Sequence, residues 1–369
     1  MNMDSGLIRG GQTFIMVPMN REFHYYVICY LAHKAGFSSG DSETIAISSQ
    51  MVDDAKLPWS IGGSPEAGVQ KPGRSAKGLL TEVTQNYLFW DHDIARDVYL
   101  PFHFVPGDSR NVAARRSDKR VHELAVSQDS DNARSLLIEA LRSGNLYRIG
   151  IALHAYADTW AHQNFTGTTD DFNAFGPNEP APSMQFASSV LPAVGHLQAG
   201  RIPDLPQAIW EDPRLEAPYR TISNSARFLE AARMIYRFLS TSRRASFEDE
   251  SFVLAPLEEL WKKRRASRND ELAIASDYVI YFDVPAYDPD KWFMAMGAKE
   301  FSTSEMLKAV STEGFTNEWR SAPYRKAMTR GSISAARYRD SPFEQWNRAA
   351  LAHRKAFADL MHRKGIRIV

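Results

Sequence analysis

Apolar side chains recur at helical spacing over much of the chain. Between Glu22 and Gly36 they fall at Tyr25, Ile28, Ala32 and Ala35, three and four residues apart, which predicts a helix with one buried face, closed by Gly36. Ser38 followed by Asp41 predicts the start of a second helix over 40–55, ending at Asp53 and Asp54. Further helices are predicted over 130–143, from Asn145 to about Phe165, and over 220–241, 253–266 and 302–310. The last helix of the chain is the clearest. Ser341, Pro342 and Glu344 supply N-cap, first-turn proline and capping-box partner; Phe343, Trp346, Ala350, Phe357 and Leu360 share a face; Gly365 closes it. Residues 56–76 read as an irregular Gly- and Pro-rich loop, and 166–182 as a long turn-rich one. The two prolines of 98–106, VYLPFHFVP, argue against a regular strand or helix there. Few segments alternate with period two and no internal repeat is present. The expected fold is all-α, a multi-helix bundle with long loops.

Length and composition refine this picture. The 369 residues suit two domains or one large one. We divide them into a leader (1–20), a helical core (21–210) and a helical C-terminal part packed on it (211–369). Hydrophobic residues at 44% and charged residues at 24% exclude wholesale disorder. The 44 basic and 44 acidic residues balance, but residues 320–369 hold 12 basic against 3 acidic. A basic coat for nucleic acid over the whole surface is therefore excluded, while a basic tail is marked out. Its helix carries Arg348, Arg354, Lys355, Arg363 and Lys364, a face that could touch an anionic surface. The single cysteine, Cys29, excludes an internal disulfide and Cys-based zinc fingers. No apolar run is long enough for a transmembrane helix, and the leader lacks a secretory signal pattern. Cytoplasmic residence is the default expectation, with signal-less export as the other route.

The chemistry concentrates in Gly150–Asn164, where His154, Asp158 and His162 stand at i, i+4 and i+8. Each helical step of four rotates by about 40° and rises about 6 Å. All three side chains thus share one face, with the carboxylate between two imidazoles. The same helix is otherwise apolar at Leu146, Ile149, Ile151, Leu153, Ala157, Trp160 and Phe165, so it should be buried. A buried ionised aspartate needs a partner or a metal. Imidazole and carboxylate are the donors zinc takes in the absence of thiols. A His-Asp-His hydrogen-bond ladder that only holds helices in register is the other reading of this spacing. Further donors would come from His24, the Asp53/Asp54 pair, His103 and His196. Taken singly, His24 is an ordinary polar residue opening a helix, His103 a core histidine between Phe102 and Phe104, and His196 a surface histidine near a turn. Asp53 and Asp54 end a helix, where negative charge opposes the dipole unless a cation is near.

Three blocks together resemble an uncharacterised bacterial domain family: FHYYVICYLAHKAGFSSGDSETIAISSQMVDDA from Phe23, PFHFVPGD from Pro101 and ALHAYADTWAHQNF from Ala152. That family resembles, at a distance, the superfamily of zinc-dependent phospholipases C and single-strand-specific zinc nucleases. The resemblance covers residues 20–210. It implies a mostly helical fold with zinc in a cleft and ligands in the order amine with early His, Asp, His, HxxxD, His, and a closing HxxxE or HxxxD. Carried over, it implies His24, Asp53 or Asp54, His103, His154 with Asp158, His162, and His196. Two departures follow. Residues precede His24, so the terminal-amine ligand is missing and two zinc ions are expected, with a weak third at His24. Gly200 stands where the closing carboxylate belongs, and Asp204 could replace it across Pro203.

The implied arrangement has Asp53 or Asp54, His103, His154 and Asp158 on one ion, and Asp158, His162, His196 and Asp204 on the other. Asp158 and Asp53 are the expected catalytic carboxylates, and the expected substrate is a phosphoester, as a lipid headgroup or a nucleotide. Two other readings stand beside this one. The His92-Asp93 dipeptide, with His24 or His33 upstream, would suit an HD-type phosphohydrolase. A metal-stabilised helical effector or recognition protein without turnover would use the same ligands structurally.

Overall fold

A computed structural model describes residues 21–62, 79–85, 92–175, 192–244, 249–263, 271–300 and 329–368. The leader, the predicted helix over 302–310, and parts of the 56–76 and 166–182 loops lie outside them. The fold is mostly helical, with short strands. Helix α1 opens with a π-helical stretch, Glu22–Val27, and continues as Ile28–Lys34; α2 is Ser39–Asp54, capped by Ser38, whose hydroxyl accepts from the Asp41 amide. Helix α3 is composite: His92–Ile94, a π-helical Ala95–Tyr99, then Leu100–Phe102. This corrects the expectation for 98–106, because Pro101 falls in the first turn of the last segment, where no amide donor is required of it. Helix α4 is Ser109–Arg115, α5 Asp131–Ser143 and α6 Leu146–Ala161.

Helix α6 is the centre of the fold. It packs on α2, α5 and, from the C-terminal half, α7 (Asn224–Arg243). Helices α8 (Glu250–Lys263) and α9 (Glu271–Phe282) follow, then the short α10 (Lys291–Ala295) and the long α11 (Pro342–Lys364). Apolar side chains from Phe23 to Met361 enter one buried cluster, so both halves of the chain build the core around α6.

Close approach of α2 and α6 depends on Gly150. A Cβ there would lie 2.3 Å from the Ile45 carbonyl oxygen and 2.5 Å from the Ser48 Cβ. The expected helix to Phe165 stops earlier, at Ala161. His162 is its C-cap and Asn164 turns the chain with φ 69°, which sends the backbone out of the helix. The expected helix over 220–241 begins at Asn224, because Thr221–Ser223 (β4) pairs antiparallel with Ile209–Glu211 (β3). A second small sheet runs β2-β1-β6-β5: Leu79–Leu80, Trp59–Ile61, Gly331–Ile333 and Lys299–Glu300, with β1 and β6 parallel. These strands are too short for a period-two signal to register.

The last helix caps as expected, with the Glu344 amide donating to the Ser341 hydroxyl at 3.1 Å. Its apolar face is buried in the core, and the Trp346 indole donates to the Ser48 carbonyl of α2 at 3.0 Å. Three of its five marked basic side chains pair with carboxylates: Arg348 with Glu344, Arg354 with Glu82 and Lys355 with Asp359. No helix among the described residues is long and apolar enough to cross a membrane.

Candidate metal centre

Six elements converge on a buried set of imidazoles and carboxylates. The π-helical start of α1 brings His24, the last turn of α2 brings Asp53, and the residue after α3 is His103. Helix α6 presents His154 and Asp158 one turn apart, and its C-cap is His162. His196 caps the 3-10 turn Leu197–Ala199, and Asp204 is the last residue of the next, Ile202–Asp204. All eight are buried except His196, which is half-buried. His24 sits in a π-helical segment, a wide-turn geometry that recurs at functional sites.

Asp158 is the hub. One oxygen lies 3.1 Å from His24 Nε2; the other lies 3.1 Å from His103 Nδ1 and 3.3 Å from His154 Nε2. Asp53 Oδ1 lies 3.7 Å from His154 Nε2 and 3.9 Å from His103 Nδ1. Asp204 lies 3.8 Å from His162 Nε2 and 3.6 Å from His196 Nε2. Distances of this size are too long for hydrogen bonds. They exceed by a few tenths of an ångström the separation of about 3.3 Å between ligands placed tetrahedrally at 2.0–2.1 Å from one ion, so a small inward shift would let one ion bridge them.

Backbone carbonyls set the tautomers. His103 donates from Nε2 to the Thr84 carbonyl at 2.8 Å, so its Nδ1 lone pair faces Asp158 and His154. His162 donates from Nδ1 to the His103 carbonyl at 2.7 Å, and His196 from Nδ1 to that of Gly200 at 3.0 Å. Both Nε2 lone pairs therefore point at Asp204. Such far-side hydrogen bonds orient imidazoles as metal ligands and make them more basic. Neither oxygen of Asp53, nor Nδ1 of His24 or His154, nor Nε2 of His162, has a hydrogen-bond partner. Lone pairs that face carboxylates repel them unless a cation or proton lies between. The donor set fits divalent metal on that ground.

Electrostatics agree. Burial by itself would raise the Asp158 carboxyl, yet His162, His154 and His24 together hold it well below the usual range. Burial pushes Asp53 well above that range, with His103 opposing, and raises Asp204, with His196 opposing. Burial lowers His154 well below the ordinary imidazole value and His162 to about 3. Neutral imidazoles around the ionised Asp158 are the protonation state in which those groups ligate, whereas Asp53 and Asp204 would have to release their protons to a cation.

Three groups of possible ligands result: His24, His154 and Asp158; Asp53, His103 and His154; and His162, His196 and Asp204. His24 thus falls in a group with His154 and Asp158, where the expected third ion would sit. Of the adjacent aspartates, Asp53 faces the cluster. Asp54 turns away, accepting from the Tyr287 hydroxyl at 2.7 Å and from Gln50 at 3.4 Å. Elsewhere, His92 is exposed and Asp93 pairs with Arg96, so the HD dipeptide takes no part in the cluster.

A family profile described as a family of unknown function (DUF6765) matches residues 19–361. The chain belongs to this family. The match runs well past the blocks within 20–210 and takes in α7 to α10 and nearly all of α11. No curated protein and no solved structure matches the chain. The family therefore spans every residue of the cluster and the helices that close over it.

Two contributors had no signal in the chain order. Phe104 stacks on His162 with ring centroids 4.4 Å apart, which covers one face of that imidazole. Arg227 of α7 donates to the Pro203 carbonyl at 3.2 Å and holds the turn that carries Asp204. Burial lowers its guanidinium to about 10, against the pull of Asp204 and Asp212. Asp204 also lines a small cleft with Arg21, Glu22, Tyr26 and Arg201.

Proposed function

We propose that the chain is a metal-dependent hydrolase of phosphate esters, phospholipase C-like or nuclease-like, built to hold two zinc ions. The observation that carries this reading is the convergence of imidazole lone pairs on buried carboxylates, several atoms of which have no hydrogen-bond partner. The thiol-free donor set suits zinc. The order of ligands along the chain, like that of the zinc phospholipase C and nuclease superfamily, supports the same chemistry. Zinc in such a setting polarises a phosphoryl oxygen and brings the ionisation of a water near neutral pH.

The chain's own residues have separate tasks in this reading. Asp158 and Asp53 carry the negative charge that offsets the cations. The carbonyls of Thr84, His103 and Gly200 hold protons on the far nitrogens of His103, His162 and His196. Phe104 keeps water from one face of His162. The cleft beside Asp204 would be the way in for substrate, with Arg201 at its wall to receive an anion and Arg21 held by Glu271.

Elemental analysis of protein purified without chelator should find about two zinc ions per chain. Hydrolysis of bis(p-nitrophenyl) phosphate should vanish on chelation and return with zinc. Protein that binds no zinc overturns the proposal. Protein that keeps its zinc and turns over no nucleotide or lipid phosphodiester makes the metal structural and the chain a non-enzymatic effector.

A further inference from the structure

Asp204 differs from the other buried carboxylates of the cluster in how it is held. Asp53 and Asp158 stand in α2 and α6, two helices packed against each other in the core. Asp204 ends a three-residue 3-10 turn, and among the described residues no hydrogen-bond donor holds its carboxylate. Its place 3.8 Å from His162 Nε2 and 3.6 Å from His196 Nε2 is therefore set through its backbone.

One side chain grips that backbone from both sides. Asn224, the first residue of α7, is fully buried. Its Nδ2 donates to the Ile202 carbonyl at 2.6 Å and to the Leu205 carbonyl at 2.8 Å, before and after Asp204. Its Oδ1 accepts from Arg227 at 2.6 Å and from the Trp210 indole at 3.0 Å. The same Arg227 nitrogen reaches the Pro203 carbonyl. A side-chain amide offers two donors and an oxygen with two lone pairs, and here all are used. Turned over, the amide would set its oxygen against two carbonyls, so the partners fix its orientation. The β3–β4 ribbon delivers the residue to the turn: Ile209 pairs with Ser223, and the Asn224 amide donates to the Ala208 carbonyl at 3.0 Å. Buried polar groups with every bond made rigidify what they join.

We infer that Asn224 is the positioning residue of the second ion, holding the 202–205 turn so that Asp204 meets His162 and His196. The inference rests on the proposed two-zinc reading. The other two groups of possible ligands, His24 with His154 and Asp158 and Asp53 with His103 and His154, contain no residue of this turn. Loss of the clamp should therefore separate the two ions, weakening the one that needs Asp204 and sparing the one that does not.

The test is a zinc titration of the metal-free full chain against a chromophoric chelator, with bound zinc counted by elemental analysis. The parent should take up about two ions. Asn224→Ser puts one hydroxyl in place of two amide donors, and serine suits a helix start. It should weaken one ion about tenfold or more and leave the other at parent affinity. Asp204→Asn should weaken the same ion, and adding Asn224→Ser to it should change nothing further, because both act on one ligand. Trp210→Phe removes the indole donor but keeps both Nδ2 bonds to the turn; it should lower the melting temperature and retain both ions at parent affinity. Should Asn224→Ser not fold, Arg227→Lys, which keeps the charge on a side chain one atom shorter, should weaken the same ion. Parent-like affinity for both ions in the folded variant overturns the inference, as does equal weakening of both or an additive double variant. Zinc loss in Trp210→Phe that tracks its melting temperature also overturns it, since the clamp would then act only through stability. A parent that holds fewer than two ions removes this inference together with the two-zinc reading. A parent that holds two, loses one in Asn224→Ser and turns over no phosphodiester leaves the positioning role standing and removes the hydrolase.

Discussion

Asp158 accepts from or faces three imidazoles at 3.1–3.3 Å, so its removal should undo the whole cluster. Asp158→Asn should reduce zinc content to near zero by elemental analysis and abolish hydrolysis. The neighbouring aspartates separate sharply. Asp53→Asn should lose zinc, because its oxygens have no other partner. Asp54→Asn should keep zinc and activity and lose about 1 kcal/mol of stability with its bond to Tyr287. Equal zinc content in the two variants would contradict the assignment.

A different residue governs a pH effect on stability. Burial lowers His353 to about 4, while its Nε2 donates to the Pro101 carbonyl at 2.9 Å. An unfolded histidine titrates near 6.5. Between these values the unfolded chain binds more protons than the folded one, so stability falls as pH drops from about 6.5 towards 4. His353→Gln can still donate to that carbonyl but cannot titrate. Chemical denaturation across this window should give a flatter profile for the variant; an identical slope would exclude His353 as the source.

At the scale of elements, α2 and α6 must approach closely enough for Asp53 of one to reach His154 of the other. Gly150 permits it, as an added Cβ would overlap the Ile45 carbonyl oxygen at 2.3 Å. Gly150→Ala should cost about 1–3 kcal/mol by overpacking. The same change should weaken zinc binding, measured by competition with a chromophoric chelator, although residue 150 touches no ligand. Full affinity in the folded variant would show that the helices can separate without moving Asp53. Spacing along α6 made His154 and Asp158 legible, because four residues is nearly one helical turn. His162 was legible as a candidate ligand but not as a cap. Nothing in AHQNF announces that the chain leaves the helix there, and it is that exit which turns Nε2 towards Asp204. The α3 region failed for the opposite reason: two prolines read as breakers, although one of them sits where a helix tolerates it.

Over the whole molecule, the C-terminal helix closes the core from the far end of the chain. Trp346 is buried and bonds to Ser48 of α2, 298 residues away. Trp346→Ala should cost about 3–5 kcal/mol, seen as a lower midpoint of urea denaturation, with zinc loss following from unfolding rather than from a missing ligand. An unchanged midpoint would mean that α11 is not part of the cooperative unit. The basic excess of residues 320–369 is partly neutralised by pairs such as Arg354 with Glu82, and the apolar face of α11 is committed to the core.

The helices and their caps were determined locally, by apolar spacing, Ser caps and a closing glycine, and so was the presence of ligand-type residues in α6. The order of the remaining histidines and aspartates along the chain was readable through family resemblance. Tertiary structure alone decided which of Asp53 and Asp54 faces inward, that His24 meets Asp158, and which nitrogen His103, His162 and His196 offer. Adjacent helical residues differ by about 100° in direction, and only the packing of α2 on α6 selects between them. The tautomers depend on carbonyls at Thr84, His103 and Gly200, groups every residue carries, which become distinctive only when the fold places them.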